Sequence, residues 1–316
     1  MLGPKNAIGA STQMEKVRSL RDAIAREIEH GMAVAMGCGL ESLIPFAAGY
    51  EIARQKKKDL TLIAPISDMQ FDQLIGADCV KKVISSWVGN VAAGLGHNFR
   101  RAMEEGIPHF LEVEEHSNFT LGLALKAGAL GVPFLPTKTA RGTDFTRGEH
   151  FSTVRCPFSN EELLAVRAVV PDVTILHVQR SDPEGNAHAW GNLGVVQEAA
   201  FAAKKVILTC EEIVEHEVIL SDPNRTVIPG FLVSSVVHLP FGSHPSPAQG
   251  YARRDDDFYF TYHKESRTQE GFERWLEKWI LGVKDHSEYL TLLGPERLKK
   301  LKPEGNLFSP PVSFNF

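Results

Sequence analysis

Apolar positions along the chain alternate between two rhythms. Met14, Val17, Leu20, Ile24 and Ile28 recur at the spacing of one helix face, with Ser11-Thr12 placed to cap the helix and Gly31 to end it. A short apolar run, Met32 to Met36, then predicts a buried strand that runs into Gly37-Cys38-Gly39. The pair repeats. A helix is expected from Pro45 to the lysines Lys56-Lys57-Lys58, a strand over Leu60 to Ala64, and a helix around Gln70 to Ile75. Lys82 to Trp87 reads as a strand, Val91 to Glu105 as a helix and His109 to Val113 as a strand. A helix from about Asn118 to Leu130 stops before Val132-Pro133.

After an irregular stretch over 137–152 the alternation resumes. Asn160-Glu161-Glu162 predicts a helix start, Val173 to Val178 a strand, Val196 to Lys204 a helix and Val206 to Cys210 a strand. Phe272 to Ile280 predicts an aromatic-rich helix. Strand followed by helix, many times over, is the pattern of parallel strands covered by helices. The expected fold class is therefore α/β, an open parallel-rich sheet layered with helices, in one domain over residues 1–290. Residues 291–316, which include Pro303, Pro310 and Pro311, are expected to form an extended C-terminal tail.

Composition narrows the partners more than the fold. With 39 acidic and 34 basic residues and a net charge of −5, neither nucleic acid nor an anionic membrane is the expected partner. The start, Met1-Leu2-Gly3-Pro4-Lys5, lacks the layout of a signal peptide, and no apolar run approaches the roughly 20 residues of a membrane helix. Cys38, Cys79, Cys156 and Cys210 are scattered without a CxxC pair or metal-ligand spacing, which fits a reducing cytoplasm and no metal.

Four segments carry candidate chemistry. Met36-Gly37-Cys38-Gly39-Leu40-Glu41-Ser42-Leu43-Ile44-Pro45 turns from strand to helix through two glycines. Such a turn either simply reverses the chain or lets backbone N–H groups approach a phosphate or a forming oxyanion. In Glu112-Val113-Glu114-Glu115-His116-Ser117-Asn118 the acids alternate across a strand end and lead into a helix N-terminus. They serve either as caps and solubilising groups or as a nucleophile or general base. Asp182-Pro183-Glu184-Gly185-Asn186 is a turn signature. Pro240-Phe241-Gly242-Ser243-His244-Pro245 is a rigid loop that can wall a pocket, with His244 able to donate to a carboxylate or phosphate.

In their order and spacing these segments resemble the A (alpha) subunit of family I CoA-transferases, of the glutaconate type, from about Gly31 to Trp279. The further carriers are Asp72-Gln73-Leu74-Ile75-Gly76-Ala77, Lys126-Ala127-Gly128-Ala129 with Val132-Pro133-Phe134, and Glu211-Glu212-Ile213-Val214. The resemblance implies a three-layer CoA-transferase fold and an A2B2 assembly with a B-type chain. It also implies a coenzyme A thioester and an acceptor carboxylate as substrates, with no metal. In that family a glutamate of the B-type half attacks the thioester, and CoA passes on through an anhydride and a glutamyl-CoA thioester. The corresponding Ser-Glu-Asn-Gly-like string is absent here; Glu184-Gly185-Asn186 and Glu304-Gly305-Asn306 have a different order.

On this resemblance Gly37, Cys38 and Gly39 form the oxyanion or CoA-adjacent loop, although Cys38-Gly39-Leu40-Glu41 departs from the family's more glycine- and aromatic-rich version. His116, Ser117, Asn118, Gly242 and His244 are expected at the substrate pocket, with Glu114 and Glu115 as candidate catalytic carboxylates. Trp87, Phe119, Phe134 and Trp190 are candidates for an acyl pocket or for plain core. Two other readings remain: a ring-opening acyl-CoA hydrolase of the same A/B architecture using Glu114 or Glu115, and a non-catalytic protein that binds CoA esters.

Overall fold

The structure, a computed structural model, describes residues 16–303. The expected cap at Ser11-Thr12 and the Glu304-Gly305-Asn306 string lie outside the described residues. Seven strands pair in parallel: β1 (Ala33–Met36), β2 (Leu60–Ile63), β3 (Val80–Ser85), β4 (Glu112–Glu115), β5 (Val173–Ser181), β6 (Lys205–Ile213) and β7 (Val233–His238). Their order across the sheet is β4-β3-β2-β1-β5-β6-β7, and Ala187–His188 and Thr226–Ile228 extend it by antiparallel pairing to nine strands among the described residues. The chain winds outward from β1 to β4, then returns to pair β5 on the other side of β1, with Val34 opposite Val173. The order thus reverses between β1 and β5. In such sheets ligands bind beyond the carboxyl ends of the strands at that reversal.

Strand alternation builds two cores from one sheet. Val34, Met36, Leu62 and Val83 enter one core with α1 (Leu20–Glu27), α2 (Phe46–Arg54) and α3 (Met69–Gly76). Their neighbours Ala35, Ile63 and Ile84 enter the other, with α5 (Asn118–Leu130) and α6 (Val196–Ala202). A separate three-stranded antiparallel sheet (134–137, 151–155 and 162–167) packs beside α5. Between β3 and β4 comes α4 (His97–Glu104).

Four helices close the described chain: α7 (Asp256–Glu265), α8 (Gln269–Leu276) with a π-helical turn at Glu277–Leu281, α9 (His286–Leu293) and α10 (Pro295–Leu301). They cover α2 and α3 through a buried aromatic cluster, in which Tyr50 meets Trp275 at 6.4 Å and Tyr289 at 5.4 Å between ring centroids. Aromatic pairs of this kind add about 0.5–1.5 kcal/mol each beyond their buried area.

Three expectations are corrected. Residues 162–167 are the central strand of the small sheet, not a helix, because Leu164 to Val166 pair on both sides and bury Leu164 and Val166. Residues 89–95 form a short hairpin, and the helix starts only at His97, where Asp72 accepts from the Phe99 N–H at 2.7 Å. Residues 291–301 are helical rather than an extended tail: α9 buries Leu293, and Pro295 opens α10, which buries Leu301.

Candidate functional site

Because the seven strands are parallel, the turns after Met36, Ile63, Ser85, Glu115 and His238 share one edge of the sheet. The turn after β1 lies at the order reversal. Gly37 adopts φ +79°, and a side chain there would press on Ser67 at 3.0 Å. At Gly39 an added Cβ would lie 2.2 Å from the Ser42 carbonyl oxygen, so only glycine fits. The loop's carbonyls are turned onto protein donors: Gly37 O accepts from Leu40 N–H (3.3 Å), Cys38 O from Val195 N–H (2.9 Å) and Gly39 O from Glu41 N–H (3.0 Å). Leu40 and Leu43 hold left-handed φ values of +68° and +55°, uncommon for residues with side chains. The Cys38 thiol points into the core, and burial, helped by the Glu198 charge, pushes its pKa up to about 12. It is not a nucleophile.

Next to this loop the chain makes a second strained turn. Asp68 sits at φ +57° and ψ −156°, with its carboxylate accepting from Met69 N–H (2.8 Å), Val91 N–H (3.1 Å) and the Tyr259 hydroxyl. Burial pushes its pKa up to about 6 against those hydrogen bonds. Strained residues held by several partners cluster at functional sites. The sequence carried a trace of this turn in Pro65-Ile66-Ser67-Asp68, at the end of an apolar run.

The acidic segment divides cleanly. β4 reaches Glu115, so both acids belong to the strand and His116-Ser117 is the turn. Glu114 is buried and bonded to Lys82 Nζ (2.7 Å), Arg167 Nη2 (3.3 Å) and His116 Nε2 (3.4 Å). Burial alone would raise its pKa, but the hydrogen bonds from His116 and Lys82 and the charges around it outweigh that and bring it down to about 2. Glu115 instead faces a cavity of about 520 Å³. Its apolar wall includes Val83, Trp87, Leu95, Phe99 and Met103, with Ser85, Ser86 and Arg100 as polar groups. Trp87 is thus the one acyl-pocket candidate found at this cavity, while Phe134 lines a different one.

His116 is buried against the His150 ring at 4.5 Å, and Nδ1 meets the Thr120 hydroxyl at 3.2 Å. His150 in turn donates to the Glu115 carbonyl at 2.8 Å. Ser117 caps α5 in a reciprocal pair with Thr120 (Oγ from Thr120 N–H 3.0 Å, Thr120 Oγ1 from Ser117 N–H 2.9 Å). Asn118 is exposed and accepts from the Ser86 hydroxyl at the cavity's rim.

The loop after β7 plays a different part from the one expected of it. Both ring nitrogens of His244 are engaged, Nδ1 with Tyr289 (2.7 Å) and Nε2 with Asp255 (2.9 Å), and the ring is buried. No nitrogen is left for a substrate's carboxylate or phosphate, so His244 braces the C-terminal helices through Asp255 and Tyr289. Gly242 is also buried, and its carbonyl accepts from Ala47 N–H at the start of α2 (3.0 Å). Asp182-Pro183-Glu184-Gly185-Asn186 is the turn its composition implied, with Asp182 accepting from Asn186 N–H and Nδ2, both at 2.8 Å.

The glycine turn at the strand-order reversal and the Glu115 cavity both lie at the carboxyl edge of the parallel sheet, where folds of this kind bind ligands. The chain belongs to the coenzyme A transferase family, whose sequence profile matches residues 17–239. It is 44% identical over 278 residues to the A (alpha) chain of the 3-oxoadipate CoA-transferase of Pseudomonas knackmussii, covering 87% of this chain and 97% of that one. It is 36% identical to the A (alpha) chain of the glutaconate CoA-transferase of Acidaminococcus fermentans, covering 92% and 95%. The crystal structure of the glutaconate CoA-transferase superposes with a TM-score of 0.87 over 93% of this chain and 98% of that one, at 35% identity. Among the described residues no helix is long and apolar enough to cross a membrane.

Proposed function

We propose that the chain is the alpha-type half of a heteromeric acyl-CoA:carboxylate CoA-transferase, working with a B-type chain that supplies the nucleophilic glutamate. The observation that carries this reading is the 44% identity along almost the whole length of the alpha-type chain of a 3-oxoadipate CoA-transferase. The substrates are a coenzyme A thioester and a free carboxylate, the acyl group a short dicarboxylic chain like those in the relatives' names. The assembly is A2B2 and cytoplasmic, with neither nucleic acid nor membrane as a partner and no metal in the reaction.

In this reading the partner's glutamate attacks the thioester carbonyl, CoA leaves as a thiolate, and an acyl-glutamyl anhydride remains. The thiolate then attacks the glutamyl carbonyl, releasing the first carboxylate and leaving glutamyl-CoA. The reverse sequence loads the acceptor. The Gly37–Gly39 turn faces the reacting carbonyl with backbone rather than side chains. The cavity holds the acyl chain, with Trp87, Phe99 and Met103 against its methylenes. Glu114 is a structural ion pair; His116, Ser117 and Asn118 shape the turn beside the cavity.

Glu115 supports a second reading, because a carboxylate facing an apolar cavity can serve as a base toward water in a ring-opening hydrolase. Replacing Glu115 by Gln in the A–B complex separates the two. A hydrolase loses turnover with the complex intact, whereas a transferase retains it and changes mainly its KM for the acyl-CoA.

A further inference from the structure

Glu211 and the Pro240–Pro245 loop stand out in the sequence, and neither is accounted for by the cavity or the glycine turn. The structure joins them. Glu211 lies buried on β6, where a carboxylate is costly unless paired. One oxygen meets His177 Nε2 at 2.9 Å; the other accepts from the Phe241 N–H at 2.8 Å. His177, buried on β5, places Nδ1 2.9 Å from the Thr209 hydroxyl, which itself donates to the Leu176 carbonyl at 3.1 Å. Both ring nitrogens of His177 and both oxygens of Glu211 are thus engaged, and the pair is locked in orientation.

What this pair holds is backbone. Phe241 has a left-handed φ of +57°, and a Cβ at Gly242 would lie 2.9 Å from His177 Cε1. The loop is thus pressed onto the His177 ring, and His286 Nε2 pins it again at the Pro240 carbonyl (2.8 Å). From this strap four hydrogen bonds reach the glycine turn and the helix behind it. Gly242 O accepts from Ala47 N–H (3.0 Å) and Pro247 O from Leu43 N–H (3.0 Å). Ser246 Oγ accepts from Ile44 N–H (3.4 Å) and donates to Glu41 O (3.3 Å). The left-handed Leu43 is held by this strap.

We propose that Glu211 is a positioning residue for the reaction: through the strap 239–247 it fixes the turn 37–43 in the conformation that meets the substrate. The inference rests on the reading of that turn as the element facing the reacting carbonyl. Strained turns persist only when their surroundings over-determine them, and Glu211 with His177 supplies the far end of that constraint.

The test uses the complex of this chain with its B-type partner and reads amide exchange of peptides 37–46 and 239–247 beside steady-state kinetics. Glu211→Ala should speed exchange in both peptides and lower kcat by about 100-fold, while KM for the acyl-CoA moves by less than about threefold. Glu211→Gln, which keeps an oxygen for the Phe241 N–H, should restore most of both. Ser246→Ala leaves the buried pair intact and should loosen 37–46 alone, so it carries the test if Glu211→Ala does not fold. Unchanged exchange at 37–46 in these variants overturns the positioning role. Loosened turns with unchanged kcat would instead remove the glycine turn from catalysis, and with it the reading on which the inference stands.

Discussion

Glu114 and Glu115 are consecutive residues whose side chains leave β4 on opposite faces of the sheet. One is locked to Lys82 at 2.7 Å; the other faces the apolar cavity. Two adjacent carboxylates therefore have unrelated jobs, and mutation should separate them. Glu114→Gln removes the charge that Lys82 and Arg167 answer and should destabilise the chain by about 3 kcal/mol. Glu115→Gln should change stability by less than about 0.5 kcal/mol. Urea unfolding of both variants checks this, and equal destabilisation would contradict it.

The acid limb of stability follows from the same pair. Glu114 titrates near 2 when folded and about 4.3 when unfolded. Its contribution is complete above the unfolded value and is lost as pH falls toward 2. Asp68 runs the other way: with its pKa raised to about 6, it favours the folded state most below about pH 4 and less as pH rises through 6. Stability should thus fall on both sides of about pH 4, toward pH 6 on account of Asp68 and toward pH 2 on account of Glu114. Glu114→Gln should flatten the acid limb in unfolding midpoints recorded from pH 2 to 8. An unchanged acid limb in that variant would place the loss elsewhere.

Much of this was legible in the chain before its structure. Apolar runs such as Met32 to Met36 and Leu60 to Ala64 marked buried strands, and Asn118 to Leu130 was readable to its ends because Ser117-Asn118 offered a cap and Val132-Pro133 a stop. What misled was local chemistry overruled by distant pairing. Glu161-Glu162 looked like a helix start, but Leu164 to Val166 found strand partners on both sides. His244 looked like a pocket residue because its partners, Asp255 and Tyr289, lie 11 and 45 positions away. The facing of Glu114 and Glu115 was hidden for a similar reason. The strand runs two residues past its expected end at Val113, to Glu115, so the alternation of faces extends over both acids and separates them.

The glycine turn should tolerate no side chain. Gly39→Ala would set a methyl 2.2 Å from a backbone oxygen, and the shift needed to relieve it should cost about 100-fold in kcat. Cys38→Ser, by contrast, should retain turnover, since the thiol is buried and held protonated. Activity of the complex carrying each variant reads both; a fast Gly39→Ala enzyme would remove the turn from the site.

Trp87 forms part of the apolar wall of the cavity. Trp87→Ala should raise kcat/KM for a longer acyl-CoA relative to a shorter one by roughly tenfold, the scale of one or two methylenes in an apolar pocket. An unchanged preference across an acyl-CoA series would move the acyl site away from this wall.

If this chain is the supporting half of a transferase, the nucleophile belongs to its partner. Intact mass spectrometry of both chains, after the co-expressed complex has met an acyl-CoA panel and then borohydride, tests that most directly. One glutamate of the B-type chain should be reduced to its alcohol, this chain should be unmodified, and this chain alone should be inactive. Consumption of acyl-CoA by water with neither chain modified would contradict the transferase reading and make Glu115 the group to pursue.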